Sequence, residues 1–193
     1  MLFQHLAFEL PPGQLAWVRG HNGRGKTSLL RLAAGLSAPE RGEVLHDGRP
    51  AHRLRDGDRR PVFIGHANAL KDDLTATEAL QFLLRLHGRA WDTPTAHAAL
   101  QRLGLPGRRH APVRTLSQGQ RRRVALARLA VEREPALWIL DEPFDALDAD
   151  GMAVLNELLA DHLSRSGSVL LTSHLPLDVG LLRPTRIELD NYA

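Results

Sequence analysis

The chain contains no cysteine. Neither a disulfide framework nor a thiolate metal site can therefore be built, and a reducing compartment suits it. Long apolar runs are missing as well. None approaches the roughly 20 residues that cross a bilayer, and the longest, such as Ala136 to Leu140, have the length of a buried strand. The opening Met1-Leu2-Phe3-Gln4-His5 lacks the basic stretch and apolar core of a signal peptide, so a role at a membrane would need a partner. Lysine is scarce: only Lys26 and Lys71 are lysines among 25 basic residues. A formal charge of +3 is a modest excess; it fits a slightly basic soluble protein better than a nucleic-acid binder. There is no internal repeat and no low-complexity segment. A length of 193 residues favours one domain with at most two lobes and a core that needs no staples.

What is present alternates short apolar runs with longer helical patterns. Leu15 to Val18 reads as a strand ending at Gly20, and Lys26 to Leu36 as the helix after it. Glu43 to Leu45 with Asp47-Gly48 reads as a strand and turn, and Pro61 to Ile64 as a short buried strand. Helical character then takes over. Thr77 to Leu86 is one helix, Asp92-Thr93-Pro94 caps a second running to Leu103, and Ser117 opens a third reaching about Glu132. Strands return at Ala136 to Leu140 and Ser168 to Thr172, with a helix from Gly151 to Leu163 between them. This order predicts an α/β fold with a mostly parallel sheet and a helical insert over about 68–130, with residues 41–60 as loops around a strand.

Gly20-His21-Asn22-Gly23-Arg24-Gly25-Lys26-Thr27 fits G-x-x-x-x-G-K-[ST] and lies between a predicted strand and a predicted helix. Glycines let such a loop curl until successive N–H groups face phosphate oxygens, and the helix N-terminus adds a positive field. Lys26 supplies a mobile point charge for the β- and γ-phosphates, where an Arg fork would fit poorly. A lysine here, in a chain that otherwise uses arginine, carries information. Thr27 offers a hydroxyl to Mg²⁺, and Ser28 follows it. By itself the loop says only that a nucleoside triphosphate binds.

The strand Leu137 to Leu140 ends in Asp141-Glu142. Ligands of parallel sheets sit at the C-terminal strand ends. There Asp141 is placed to hold a Mg²⁺ shell through water, and Glu142 to face the attacking water as base or orienting group. Ser168 to Thr172 ends in Ser173-His174. If its strand lies beside that of Asp141, His174 can reach a γ-phosphate oxygen and the same water.

Leu116-Ser117-Gln118-Gly119-Gln120 opens a helix with a good N-cap at Ser117 and a glycine that lets an anion approach. This segment resembles the LSGGQ signature of ABC ATPases. Asp145-Ala146-Leu147-Asp148 resembles the loop after their catalytic Glu, and His174 matches their switch histidine. The motifs occur in the family's order over nearly the whole chain. The resemblance implies a P-loop NTPase fold with a small antiparallel β part, ATP and Mg²⁺ as ligands, and a head-to-tail homodimer. Each ATP would lie between one copy's Gly20–Thr27 loop and the other copy's Ser117, Gln118, Gly119 and Gln120, with Asp148 at the subunit boundary.

Gly25-Lys26-Thr27-Ser28-Leu29-Leu30-Arg31, Phe63-Ile64-Gly65-His66, Leu74-Thr75-Ala76-Thr77-Glu78, the run from Gln120 to Leu129, and Leu137 to Phe144 are further similar to the ATP-binding subunit of the haem exporter of bacterial cytochrome c maturation. That resemblance implies integral membrane partners and a peripheral position on the cytoplasmic face of the bacterial inner membrane. ATP turnover would power haem export or release of a haem-loaded chaperone. Another ABC exporter and a nucleotide-gated module without transport are the alternatives. A DNA-repair ABC ATPase would need a long coiled coil between its two halves, and no heptad run is present.

The helical insert is where a membrane partner would dock; its Leu70, Leu74 and Phe82 are read mainly as core. Arg121-Arg122-Arg123 spreads around its helix and reads as a solvated face rather than a nucleic-acid patch. No residue points to a haem site, and His66, His87, His97 and His110 read as surface or structural residues. Two positions depart from the family pattern. Gly65-His66-Ala67 lacks the Gln expected after the strand, for which His66 or Asn68 would have to substitute. No aromatic is evident to stack on adenine: the chain starts about where the family's second strand begins, and Phe3 and His5 are weak substitutes. Weak base selectivity is expected.

Overall fold

The computed structural model describes residues 2–54, 60–88 and 92–192. Its elements, in chain order, are β1 (Leu15–Arg19), α1 (Lys26–Ala33), β2 (Leu45–His46), β3 (Arg49–Pro50), β4 (Val62–Ile64), α2 (Ala76–Leu86), α3 (Thr93–Arg102), α4 (Gln118–Leu126), β5 (Leu137–Leu140), α5 (Ala149–Ser164), β6 (Ser168–Thr172), α6 (Val179–Leu182) and β7 (Thr185–Glu188). The chain divides into two compact units. One comprises Met1–His66, Glu134–Pro143 and Ala160–Ala193; the other comprises Ala67–Arg133 and Phe144–Leu159.

The first unit is built on a five-stranded sheet in the order β4-β5-β6-β1-β7, with every pair parallel. Strands buried on both faces need continuous apolar runs, and LWIL and SVLLT supply them. Ala16, Val18, Ile139, Leu170 and Ile187 form one face of the sheet and receive Leu29, Leu30 and Ala33 of α1. On the opposite face the Trp138 ring stacks on His162 at 3.7 Å. His162 is fully buried and donates through Nε2 to the carbonyl of Ala136 at 2.8 Å. Burial, opposed by that hydrogen bond and assisted by the nearby Arg165 charge, lowers its pKa. The antiparallel part is the two-residue pair β2 and β3. Its turn places Asp47 and Gly48 at φ +50° and +77°, the two positive values a tight hairpin asks for.

The second unit packs α2 against α3 and α4. Thr75 forms a capping box with Glu78 at the start of α2, and Asp92 caps α3 just ahead of a first-turn proline. Leu80, Leu83, Leu84 and Leu100 carry its core.

Several expectations change. α4 stops at Leu126 rather than Glu132: the N–H groups of Leu129, Ala130 and Val131 bond three residues back, tightening the chain into turns. The arginine run is not a solvated face. Arg122 is 3 % exposed, and its guanidinium donates to Asn68 Oδ1 at 3.1 Å, because α4 turns it inward; Arg121 and Arg123 are half-buried. Leu70 and Leu74 are only half-buried and Phe82 is exposed, with the Lys71 ammonium 4.6 Å from its ring centre, so the three are not core. β7 and α6 were not anticipated. β7 buries only Ile187 at the sheet edge, so its sequence reads as polar loop.

Candidate nucleotide site

All the sheet-borne candidates lie at the C-terminal strand ends. The loop after β1 holds Gly20, Gly23 and Gly25 at φ +147°, +82° and +93°, values closed to most side chains. Gly25 is the N-cap of α1 and has no side chain with which to cap it, and the first turn carries no acid. The first N–H groups of α1 and the dipole end are thus shaped for an anion. Lys26 Nζ donates to the carbonyls of Gly20 at 2.7 Å and His21 at 3.4 Å, lying across its own loop where phosphate oxygens can compete for it. Asn22, Thr27 and the His21 ring are exposed, while Arg24 and Ser28 are half-buried.

Beyond the loop, strand register assembles the site. Leu140 pairs with Leu171, so the next residues, Asp141 and Thr172, fall side by side. Thr27 Oγ1 donates to Asp141 Oδ2 at 2.9 Å, and the buried Thr172 hydroxyl donates to Asp141 Oδ1 at 2.8 Å. The Glu142 N–H donates back to the same Thr172 oxygen at 2.9 Å. Glu142 stands at φ +47°, a left-handed conformation that carries strain for a residue with a β-carbon. There its Oε2 accepts from the His174 N–H at 2.8 Å, and its Oε1 lies 3.3 Å from His174 Nε2. Thr27, Asp141, Thr172, Glu142 and His174 thus form one connected chain. Thr27 and Asp141 offer oxygen atoms only, the donor chemistry Mg²⁺ prefers when it keeps water and phosphate in its shell.

The remaining candidates lie in the second unit. Ser117 caps α4 in a reciprocal box: its hydroxyl accepts from the Gln120 N–H at 3.2 Å, and Gln120 Oε1 accepts from the Ser117 N–H at 3.1 Å. The Gln120 side-chain oxygen is therefore engaged with its own helix. Ser117 and Gln118 are exposed. Gly119 is needed for a reason beyond anion approach: a β-carbon there would stand 2.5 Å from the carbonyl oxygen of Ala146. Asp148 Oδ1 accepts from the Gly151 N–H at 2.9 Å, capping α5, and pairs with Arg123. The Gly151 bond is the largest cause acting on Asp148; with Arg123 it outweighs burial and lowers the pKa. Ser117, Gly119, Arg123 and Asp148 line a recess of about 260 Å³. Asn68, one of the two residues that would substitute for the absent glutamine, accepts through Oδ1 from the Arg122 guanidinium at 3.1 Å. His66, His87 and His110 are exposed, and His97 is half-buried, edge-on to His110 at 5.6 Å.

A family model described as ABC transporter matches residues 3–145. The chain belongs to the ABC family. Among its relatives, the cytochrome c biogenesis ATP-binding export protein CcmA of Albidiferax ferrireducens is 43% identical over 97% of the chain and 90% of its own length. CcmA of Escherichia coli K12 is 46% identical over 97% of the chain and 89% of its own length. Among solved structures, an ABC transporter ATP-binding protein from Pyrococcus furiosus superposes with a TM-score of 0.83 at 25% identity, covering 99% of the chain and 92% of its own. The ATP-binding cassette MJ0796, dimeric and bound to ADP and Pi, superposes with a TM-score of 0.78 at 23% identity, over 97% and 85% of the two chains. The expected fold, a P-loop ABC ATPase domain with a mostly parallel sheet, is the observed one.

Sequence reasoning missed Thr172 and Asp190. Thr172 is the last residue of β6, and only the β5–β6 register reveals that it joins Asp141 to Glu142. Asp190 follows β7 and reaches His21 and Arg24 of the phosphate loop.

Proposed function

We propose that the chain hydrolyses ATP as a head-to-tail homodimer coupled to integral membrane subunits at the cytoplasmic face of the bacterial inner membrane. In this reading it powers haem export, or release of a haem-loaded chaperone, in cytochrome c biogenesis. The observation that carries it is the connected set from Thr27 through Asp141 and Thr172 to Glu142 and His174. It puts a hydroxyl and a carboxylate suited to Mg²⁺ next to a second carboxylate and an imidazole suited to a water and a γ-phosphate. The two curated relatives, both named for cytochrome c biogenesis export, support the transport context.

The loop amides between Gly20 and Thr27 and the Lys26 ammonium would grip the β- and γ-phosphates. Thr27 and Asp141 would hold Mg²⁺, Asp141 through water; bound there, the ion neutralises charge growing on the phosphate oxygens. Glu142 would orient the attacking water and accept its proton, and His174 would donate to a γ-phosphate oxygen. The opposing copy's Ser117, Gln118, Gly119 and Gln120 would close each site, Gln120 through its backbone, with Asp148 at the seam. The helical lobe, about residues 68–116, would receive the membrane subunits, with the surface of Leu70, Leu74 and Phe82 available to them. No helix among the described residues is long and apolar enough to cross a membrane, so membrane attachment would run through those partners.

Co-purification from membranes tests the partners, and steady-state turnover tests the chemistry. Glu142→Gln should abolish phosphate release while ATP drives a stable dimer. A variant that stays monomeric in saturating ATP refutes the two-copy site. A nucleotide-gated module without turnover is the second reading. Ala67, standing where the haem-exporter pattern has Gln, favours it, and undetectable hydrolysis by the intact complex would establish it.

A further inference from the structure

The phosphate loop is fastened from outside by a residue that no motif contains. β1 and β7 run parallel in the register Arg19 to Glu188. Two residues further along each chain this places His21 opposite Asp190, in the turn Leu189–Tyr192. The contact is made. The His21 N–H donates to Asp190 Oδ2 at 3.3 Å and Oδ1 at 3.4 Å, and His21 Nδ1 lies 2.8 Å from Oδ2. Arg24 Nε donates to Oδ1 at 3.1 Å. A β-carbon on Gly20 would stand 3.3 Å from Leu189 Cβ and 3.5 Å from Asp190 Oδ1, so the loop's first residue rests on the same turn.

We propose that Asp190 is a positioning residue of the nucleotide site: its carboxylate pins His21 and Arg24 outward so that the loop amides lying between them stay turned inward. This rests on the ATP-binding reading of the loop. Two consequences of the geometry support it. Arg24 and His21 are spaced three residues apart, so one acceptor that holds both fixes the first half of the loop with a single side chain. The arrangement also occupies the Arg24 guanidinium, leaving Lys26 as the loop's mobile cation. Burial alone would raise the carboxyl's pKa, but the bonds from the His21 ring and N–H and from Arg24 outweigh it and lower it, so the anchor is ionised at neutral pH.

The test is Mg·ADP binding to the full chain by calorimetry, because ADP needs the phosphate loop and no second copy. Asp190→Ala should weaken binding about tenfold, and Asp190→Glu should recover most of it. Adding Arg24→Gln to Asp190→Ala should cost no more than Asp190→Ala alone, since the two act through one contact. Amide exchange at residues 21–24 should rise in Asp190→Ala while Tm moves little. Wild-type affinity in Asp190→Ala, or an additive loss in the double variant, overturns the proposal. A loss of binding that tracks a fall in Tm with unchanged exchange at the loop also overturns it. Should Asp190→Ala fail to fold, Asp190→Asn, which keeps the shape and removes the charge, decides on the same readouts. If the unaltered chain does not bind Mg·ADP, the nucleotide reading falls first; normal binding with an indifferent Asp190 removes only this inference.

Discussion

Replacing Thr172 by valine exchanges one hydroxyl for a methyl group and leaves the shape of a fully buried side chain almost unchanged. Two groups then lose a partner together: the N–H of Glu142 and Oδ1 of Asp141. A buried polar group left without its bond costs about 1–3 kcal/mol. The larger consequence is positional. Glu142 is held at φ +47°, a conformation that costs of order 1–3 kcal/mol and persists only where its surroundings enforce it. The bond from its N–H to Thr172 is one such restraint, and without it the residue can relax and carry its carboxylate away from His174.

If the proposed roles hold, positioning worth about 1.4–2.8 kcal/mol in the transition state is a ten- to hundredfold loss of kcat. The KM for ATP should change much less, because Lys26 and the loop amides are untouched. Tm should fall by roughly 2–4 °C for each kcal/mol of stability lost. Thr172→Ser keeps the oxygen and should restore most of kcat. Steady-state phosphate release over a range of ATP concentrations separates the two parameters. A valine variant with wild-type kcat, or a serine variant as impaired as valine, would refute the assignment of Thr172 as the link between the carboxylates.

Three further outcomes are expected. Ser117→Ala removes the capping box of α4, so stability should drop by about 1 kcal/mol and ATP turnover should fall, while Mg·ADP binding by the single chain stays at the wild-type level; equal loss of ADP binding would contradict a role in trans. His162 has its pKa lowered in the folded chain. The unfolded chain therefore binds the extra proton first, and stability should be complete above the ordinary histidine value and decline as pH falls through it, by at most about 1.4 kcal/mol per pH unit. His162→Phe should flatten that part of a denaturation-versus-pH curve, and an unchanged slope would place the dependence elsewhere. In nucleotide competition GTP should displace ATP nearly as well as ATP does itself: the Phe3 ring lies against Gly25 of the phosphate loop, and the Trp17 ring is engaged by Arg19 and Arg186. A strong adenine preference would sink this.

The sequence displayed the phosphate loop because its chemistry is local: glycines, a lysine and a threonine act within a few residues of one another. The parallel sheet was legible for a similar reason, since LWIL and the Val169 to Leu171 centre of SVLLT are continuous apolar runs that burial suits. Edge strand β7 was not legible, because one of its faces meets solvent and TRIE carries a single buried residue. Arg122 was misjudged because a run of three like residues hides which of them the helix turns inward; Asn68, its partner, lies far away in the chain. Thr172 and Asp190 share this difficulty. Each is an ordinary polar residue whose place depends on which strand lies beside which, and in what register.

The paired carboxylates make the same point from inside a motif. Along an extended strand neighbouring side chains point to opposite faces, so Asp141-Glu142 read as a strand end would send its two acids apart. In the structure Asp141 completes the ladder, its N–H donating to the carbonyl of Ile64 at 2.9 Å, and turns to Thr27 and Thr172. Glu142 leaves the ladder through its left-handed backbone and reaches His174. The strain is offset by two bonds to the C-terminal end of β6, one to Thr172 and one from the His174 N–H just beyond it. Two residues that look like a single acidic feature are thus assigned to separate tasks by a backbone angle. That angle is held only because β5 and β6 are neighbours in this register.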